Sequence, residues 1–300
     1  MTKMNLNLFL LLAVNGITMG MIYSLIAMGL IMLIRAVGVL NFAQGALLLV
    51  GTYFTSWLLT DIGLPIYLML PVAVVMFAVL GVLFMLATYW PLRNASYSVA
   101  PIIATMGASW VLTEGAALVF GTWPRTMPHL ITDPRGRVGT FLLFGARVQW
   151  QYLLTIFVAI VAMILVNMLF EKLYIGRIMQ AAAQDKTAAE LIGISTLLTT
   201  AITYALVVIL ISIGGYMVAP LYMITPTLPN LQLRAFAGTV IGGFGSIKGA
   251  VIGCLIVGLT EAFSTIRFSS YKDAVVFSVL IMFLAIRPDG LFKSRIGDKA

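Results

Sequence analysis

Charge-free apolar stretches, most of them long enough to cross a membrane as a helix, alternate along this 300-residue chain with short polar connections. A helix needs roughly 20 apolar residues to cross the hydrocarbon of a bilayer. The pattern predicts spans near 8–34, 40–60, 66–89, 97–120, 150–171 and 196–219. Residues 191–233 carry no charge, but Pro220, Pro226 and Pro229 interrupt them, so their second half is predicted as a loop or irregular segment. The next apolar pieces, 235–247 and 249–260, are each too short to cross alone and are separated by Lys248. Two readings fit this 235–266 region: a broken or re-entrant helix lining a cavity, or one tilted helix from about 247 to 266 preceded by an interfacial helix. A last short span covers 274–287, with Lys272 and Arg287 able to snorkel at its ends. The expected architecture is all-α, with about eight transmembrane helices.

Composition agrees. Hydrophobic residues make up 61% of the chain and charged residues 9%, against about 25% charged in an ordinary soluble domain. A polytopic membrane protein follows, read as a single transmembrane domain over 1–300. The uncharged run from Asn5 to Ile34 continues without a cleavage-type site, so the first span is expected to remain in the mature chain. The net charge of +8 is spread over short loops instead of one face, which argues against a nucleic-acid partner. Arg287, Lys293, Arg295 and Lys299 in the tail favour a cytoplasmic C-terminus. Alternation from that end puts the 121–149 loop outside despite its Arg125, Arg135, Arg137 and Arg147. Two short apolar strings around Gly145 in that loop predict a hairpin lying on the membrane.

Small residues recur every four positions at Gly16, Gly20 and Ser24, and again at Gly245, Gly249 and Gly253, a spacing that lets helix backbones approach closely in lipid. Catalytic chemistry is hard to assemble. The single histidine, His129, has no cysteine or carboxylate cluster beside it in sequence, so no metal site and a solvated side chain are expected. Cys254 is the only cysteine and reads as packing. The stretch "GGFGSIKGA" departs from a Walker A loop, because Lys248 follows Ile247 where glycine is required and no Ser or Thr follows it. No catalytic residue, metal or cofactor is therefore expected in this chain.

Two acids, Glu114 and Glu261, fall within predicted spans near their ends; Glu261 is placed to pair with Arg267, and both read either as structural or as proton or substrate contacts. Neutral polar groups offer a better path for a solute: Asn15 and Thr18 in the first span, Asn41 and Gln44 at the start of the second. Asn41 reads equally as a helix cap and as part of a polar kink beside a translocation route.

Four stretches together carry a resemblance: "NGITMGMIYSLIAMGLIMLIRAVGVLNFAQGALLLVGTY", "GRIMQAAAQDKTAAELIGI", "AGTVIGGFGSIKGAVIGCLIVGLTEAF" and "IRPDGLF". In order and spacing, from about residue 10 to 292, they resemble the permease subunits of branched-chain amino acid ATP-binding cassette importers, of the LivH type. The chain departs from the family pattern at Gln44 and Ala46, where a histidine and an acid are common, and at Gln180, where arginine is frequent. The resemblance implies a path formed with a second homologous permease as a heterodimer. It also implies two ATPase subunits that bind ATP and magnesium, and an extracytoplasmic solute-binding protein.

On that resemblance, the cytoplasmic loop 172–195 is a coupling helix seated in the ATPases. Thr187 and Glu190 fit a capping box that fixes its start, Gly193 ends it in a left-handed turn, and Ser195 caps the next span. Ala181, Ala182, Ala188, Ala189, Leu191 and Ile192 offer a low-relief docking surface, and Arg177, Asp185 and Lys186 set its register by charge. Branched-chain or other amino acids are the expected cargo. Urea, amides or aromatic acids are alternatives within the family, an ion-coupled secondary transporter is a competing class, and an intramembrane enzyme is disfavoured.

Overall fold

A computed structural model describes residues 6–93, 95, 97, 99–132 and 137–292. Arg135 and the tail residues Lys293, Arg295 and Lys299, whose charges bear on orientation, lie outside them. Eleven helices and one hairpin follow in chain order among these residues. They are α1 (Leu6–Val37), α2 (Gln44–Ser56, continued by a π turn Trp57–Asp61), α3 (Ile66–Thr88), α4 (Ala100–Phe120), β1 (Thr140–Leu143), β2 (Ala146–Gln149), α5 (Trp150–Glu171), α6 (Tyr174–Gln184), α7 (Lys186–Leu191), α8 (Thr196–Val218), α9 (Leu231–Gly242), α10 (Ile247–Phe268) and α11 (Lys272–Ile286). Among the described residues, six helical stretches are long and apolar enough to cross a membrane: α1, α3, α4, α5, α8 and the α10–α11 run. The remaining apolar helices, α2 and α9, are shorter. At 1.5 Å per residue, the 12-residue α9 extends only about 18 Å.

The chain packs as two compact units. One contains Met1–Met28, Pro128–Val161 and Leu231–Ala300; the other contains Gly29–Met127 and Ala162–Asn230.

In the first unit, the short α9 and α10 form a helical hairpin, and α10 runs unbroken from Ile247 to Phe268. The arms touch at their backbones, and a Cβ on Gly238 would lie 2.7 Å from Cys254 Cα. Gly249 and Gly253 face α9 as the four-residue spacing predicted, whereas Gly245 sits at φ +92° in the turn between the arms. That turn is pinned from below by the segment after α11: Leu291 N–H donates to Ile241 O at 2.9 Å and Phe292 N–H to Gly242 O at 3.1 Å. The first small-residue stripe also packs as predicted. A Cβ on Gly16 would lie 2.9 Å from Leu259 Cα, and one on Gly20 2.8 Å from Leu255 Cα, so α1 and α10 cross at backbone contact. The predicted loop hairpin is β1–β2, antiparallel. Phe144 and Gly145 at φ 48° and 91° give its two-residue turn the positive φ values that match strand twist.

In the second unit, α8 packs against both α2 and α3. Gly81 of α3 meets Tyr204 O and Ala205 Cα of α8 at 2.7 and 2.8 Å from an added Cβ. The predicted irregular stretch follows α8, with a 3-10 turn at Leu228–Asn230. Helix direction separates two polar clusters in this unit. α8 starts beside α6 and α7 and ends near Ile224, whose backbone pairs with that of Arg125; Asp61 at the end of the π turn bonds Arg125 at 3.0 Å. The α6–α7 segment and the Asp61–Arg125 pair thus lie at opposite ends of the helices of this unit.

Candidate coupling site and polar path

The loop predicted to couple is built from two short helices, and its fastening begins with sequence. α6 is strongly amphipathic. Its inner face places Gly176, Met179 and Ala182 in the protein, and Gly176 runs so close to the end of α5 that a Cβ there would overlap the Phe170 carbonyl. Gln180 reads both sides of that junction. Its amide donates to Phe170 O at 2.7 Å, while its carbonyl oxygen accepts from Arg35 Nη2 at 3.3 Å. An arginine here would have no acceptor to offer Arg35, so the departure from the family pattern at Gln180 has a local structural use. Arg35, in the last turn of α1, also pairs with Glu171 at 2.6 Å and lies 5.3 Å over the Phe170 ring.

α7 starts differently from the capping-box expectation. Asp185 is the N-cap, and its carboxylate accepts from Ala188 N at 3.0 Å; Thr187 lies inside the helix. Asp185 accepts from the amide three residues on, as an N-cap does, so the helix starts two residues earlier than a Thr187 cap would set it. Glu190 does not reach back to the helix start. Its carboxylate accepts from Thr196 Oγ1 at 2.5 Å, across the turn that Gly193 makes at φ +85°. The Gly193 turn and the Ser195 cap, which accepts from Leu198 N at 3.4 Å, are as predicted.

The charged residues expected to set register are partly used within the chain. Lys186 donates to Tyr89 Oη at 2.9 Å and sits 5.5 Å over its ring, tying α7 to the end of α3. Arg177 Nη2 donates to Lys172 O at 3.1 Å. The proposed apolar surface is also narrower than expected: Ala182 and Ala189 are 4% exposed and face inward, because they carry the packing of α6 and α7. What remains outward is larger in relief. Tyr174, Leu191 and Ile192 are 77%, 84% and 76% exposed, beside Ala181 and Ala188.

The four path candidates fall two to each unit. Asn15 and Thr18 share α1 in the first unit; Thr18 is buried with its hydroxyl donating to Val14 O at 2.8 Å, and Asn15 Oδ1 is buried without a hydrogen-bond partner among the described residues. Asn41 and Gln44 are buried in the second unit. Asn41 Oδ1 accepts from Ala43 N at 2.8 Å, closing a turn two residues ahead of α2, whose N-cap is Ala43. The next amide, Phe42 N–H, donates to Thr105 Oγ1 of α4 at 3.1 Å.

The acids divide as well. Glu114 is exposed on α4. Glu261 does not pair with Arg267. It is buried in the first unit, where Arg234 Nη1 and Lys272 Nζ each lie 3.3 Å from Oε1, and Tyr23 Oη donates to Oε2. Arg234 also reaches Asp273 at 2.6 Å, and Lys272, expected at the start of the last span, is part-exposed. The residues missed from sequence are Tyr23, Arg35, Tyr89, Thr196 and Arg234. For two of them a signal existed, since Arg35 is the only charge between Asn5 and Thr60, and Arg234 the only one between Leu191 and Ile247. His129, expected to be solvated, is half-buried, with Nδ1 lacking a hydrogen-bond partner among the described residues. Among those residues no group of His, Cys, Asp or Glu is arranged to hold a metal.

Comparison with known proteins supplies the family. Residues 12–285 match the family described as the branched-chain amino acid transport system permease component. The high-affinity branched-chain amino acid transport system permease protein LivH of Salmonella typhimurium is 31% identical over 294 residues, 92% of this chain and 93% of LivH. The corresponding BraD protein of Pseudomonas aeruginosa is 30% identical over 93% of this chain and 94% of its own. The ribose import permease protein RbsC of Haemophilus influenzae is 26% identical, over 89% of this chain and 81% of its own. With a match along nearly its whole length and a multi-pass helical fold, this chain belongs to the family of branched-chain amino acid transport system permease components.

Proposed function

We propose that this chain is a membrane subunit of an ATP-driven importer of branched-chain or other small amino acids. It sits in the bacterial inner membrane with its C-terminus in the cytoplasm. A second, homologous permease completes the path as a heterodimer, and an extracytoplasmic binding protein delivers the solute. Two ATPase subunits bind ATP and magnesium, and this chain holds no cofactor of its own.

One observation carries the coupling role of residues 172–195. The segment is fastened to α1 through Arg35, to α3 through Tyr89, to α5 through Gln180 and Gly176, and to α8 through Glu190, while Leu191 and Ile192 point away. A solvated connecting loop has no need of four attachments. Nor is it expected to expose adjacent Leu and Ile side chains, each worth about 1.5–3 kcal/mol when fully buried. An ATPase groove that covers them gains that burial. When the ATPases close on ATP, the displaced α6–α7 segment pulls on four spans at once, so motion at the groove becomes a change in the path. Asn15, whose buried carbonyl oxygen has no partner among the described residues, is the best placed of the four polar residues to meet a passing solute.

The higher identity to LivH and BraD than to RbsC supports an amino-acid cargo. Ligand binding by the partner external protein tests it, with urea, amides, aromatic acids or a sugar as the competing outcomes. The decisive experiment for the class is uptake into proteoliposomes. The reading expects no uptake by the purified chain alone and ATP-dependent uptake by the assembled complex. Gradient-driven uptake by the chain alone would assign it to the secondary transporters.

A further inference from the structure

At the end of the second unit opposite to the coupling segment, a cavity of about 570 Å³ lies between α2, α3 and α4. Its walls are aliphatic: Val50, Leu80, Val111, Leu112 and Val119, with Gly115 leaving open space where an added Cβ would meet nothing within 4 Å. Its rim is charged and aromatic. Asp61 and Arg125 face each other there at 3.0 Å, Trp57 lines the same end, and the Arg125 guanidinium stands 5.7 Å from the Phe120 ring, which is itself stacked on Tyr53.

Three features define an occupant. The walls follow α4, whose Val111 and Val119 are 73% and 77% exposed, so the cavity opens sideways along a membrane-crossing helix. The polar groups sit only at the helix ends, at the level where tryptophan and charged side chains meet lipid headgroups. The pair at the rim has both signs: a guanidinium suited to phosphate and a carboxylate suited to a primary ammonium. The volume is in the range of sites for drug-sized ligands, roughly 300–1,000 Å³, more than one small amino acid fills.

We propose that this cavity binds one membrane phospholipid with an ethanolamine-type headgroup, its phosphate on Arg125, its ammonium on Asp61 and one acyl chain along α4. The backbone pairing of Arg125 with Ile224 and the π turn that ends at Asp61 hold the two charges in place before the lipid arrives. Asp61 sets the preference. It repels a headgroup of net negative charge, and a quaternary choline has no N–H to donate to it.

The test uses the assembled transporter in nanodiscs of phosphatidylcholine doped with acyl-chain photoreactive lipids that differ only in headgroup. The ethanolamine lipid is expected to label the 50–57 and 111–120 segments about five-fold more than the choline or glycerol lipids, the ratio of one headgroup charge contact. Gly115→Trp, which fills the cavity, is expected to abolish that labelling, and Asp61→Asn to shift preference toward the anionic glycerol lipid. Equal labelling by all three lipids in the wild-type complex would overturn the proposal without recourse to any variant. So would labelling that survives Gly115→Trp, or cross-links from α4 to a second permease in place of lipid.

Discussion

Glu190 accepts a hydrogen bond of 2.5 Å from the Thr196 hydroxyl, across the left-handed turn at Gly193, and so joins the end of α7 to the first turn of α8. Acceptor capacity matters in this contact as well as reach. Glu190→Lys replaces the acceptor with a donor, while Glu190→Gln keeps an acceptor of similar length. The lysine variant should insert and assemble but lose ATP-driven uptake roughly tenfold or more, the effect of one broken charge-assisted hydrogen bond of about 1.5–3 kcal/mol. Glutamine should retain most of it. Parallel uptake and ATPase assays on the two variants check this.

The cap of α7 can be separated from the residue that mimics it in sequence. Asp185→Ala removes the bond to Ala188 N and should cost about 1 kcal/mol of local helix stability, seen as faster amide exchange over residues 186–191. Thr187→Ala should leave exchange there nearly unchanged.

Glu261 answers to Arg234, Lys272 and Tyr23 together. Glu261→Leu removes the carboxylate shared by Arg234, Lys272 and Tyr23, leaves Arg234 paired with Asp273 and Lys272 part-exposed, and should destabilise the protein by about 1–3 kcal/mol, whereas Tyr23→Phe should cost about 1 kcal/mol. Thermal unfolding of the detergent-purified variants measures both.

His129 carries the pH dependence. Burial holds its pKa below the ordinary value of 6.5. The unfolded chain then binds the proton first as pH falls, so stability contributed by neutral His129 is present above 6.5 and is lost progressively as pH drops toward the folded-state pKa. Melting temperature should fall between pH 7 and 5, and His129→Gln should flatten that slope.

Features that depend on neighbours along the chain were legible in the sequence. Most of the spans, the hairpin around Gly145, the Gly193 turn, the Ser195 cap and the close-packing stripe at Gly16 and Gly20 are all local patterns of apolarity or backbone freedom, whereas the predicted 40–60 span is the shorter α2. Contacts made across the fold were not. Glu261 selected Arg234 on another helix over Arg267 nearby, because packing of α9 on α10 brings the former alongside and a six-residue separation on one helix does not. The α7 cap shows a subtler limit, since Asp185 and Thr187 are both good capping residues and only the position where the helix starts decides between them. Alanine serves a buried helix face and a flat exposed one equally well, so sequence alone does not separate the inward Ala182 and Ala189 from a docking surface. The partners of Arg35 and Arg234 were invisible, yet the isolation of each charge in a long apolar stretch marked them as residues that must find one.

The central claim is that ATPase force enters through the segment ending at Leu191 and Ile192. Cys254 is the chain's only cysteine and is buried, so Ile192→Cys introduces a single accessible thiol. In inside-out vesicles carrying the assembled, nucleotide-loaded transporter, a bifunctional thiol reagent should link position 192 to the ATPase chain. A membrane-impermeant maleimide should reach that thiol only from the cytoplasmic side before assembly. Labelling from the outer side, or a fully assembled and nucleotide-loaded complex in which position 192 links to nothing, would contradict the account.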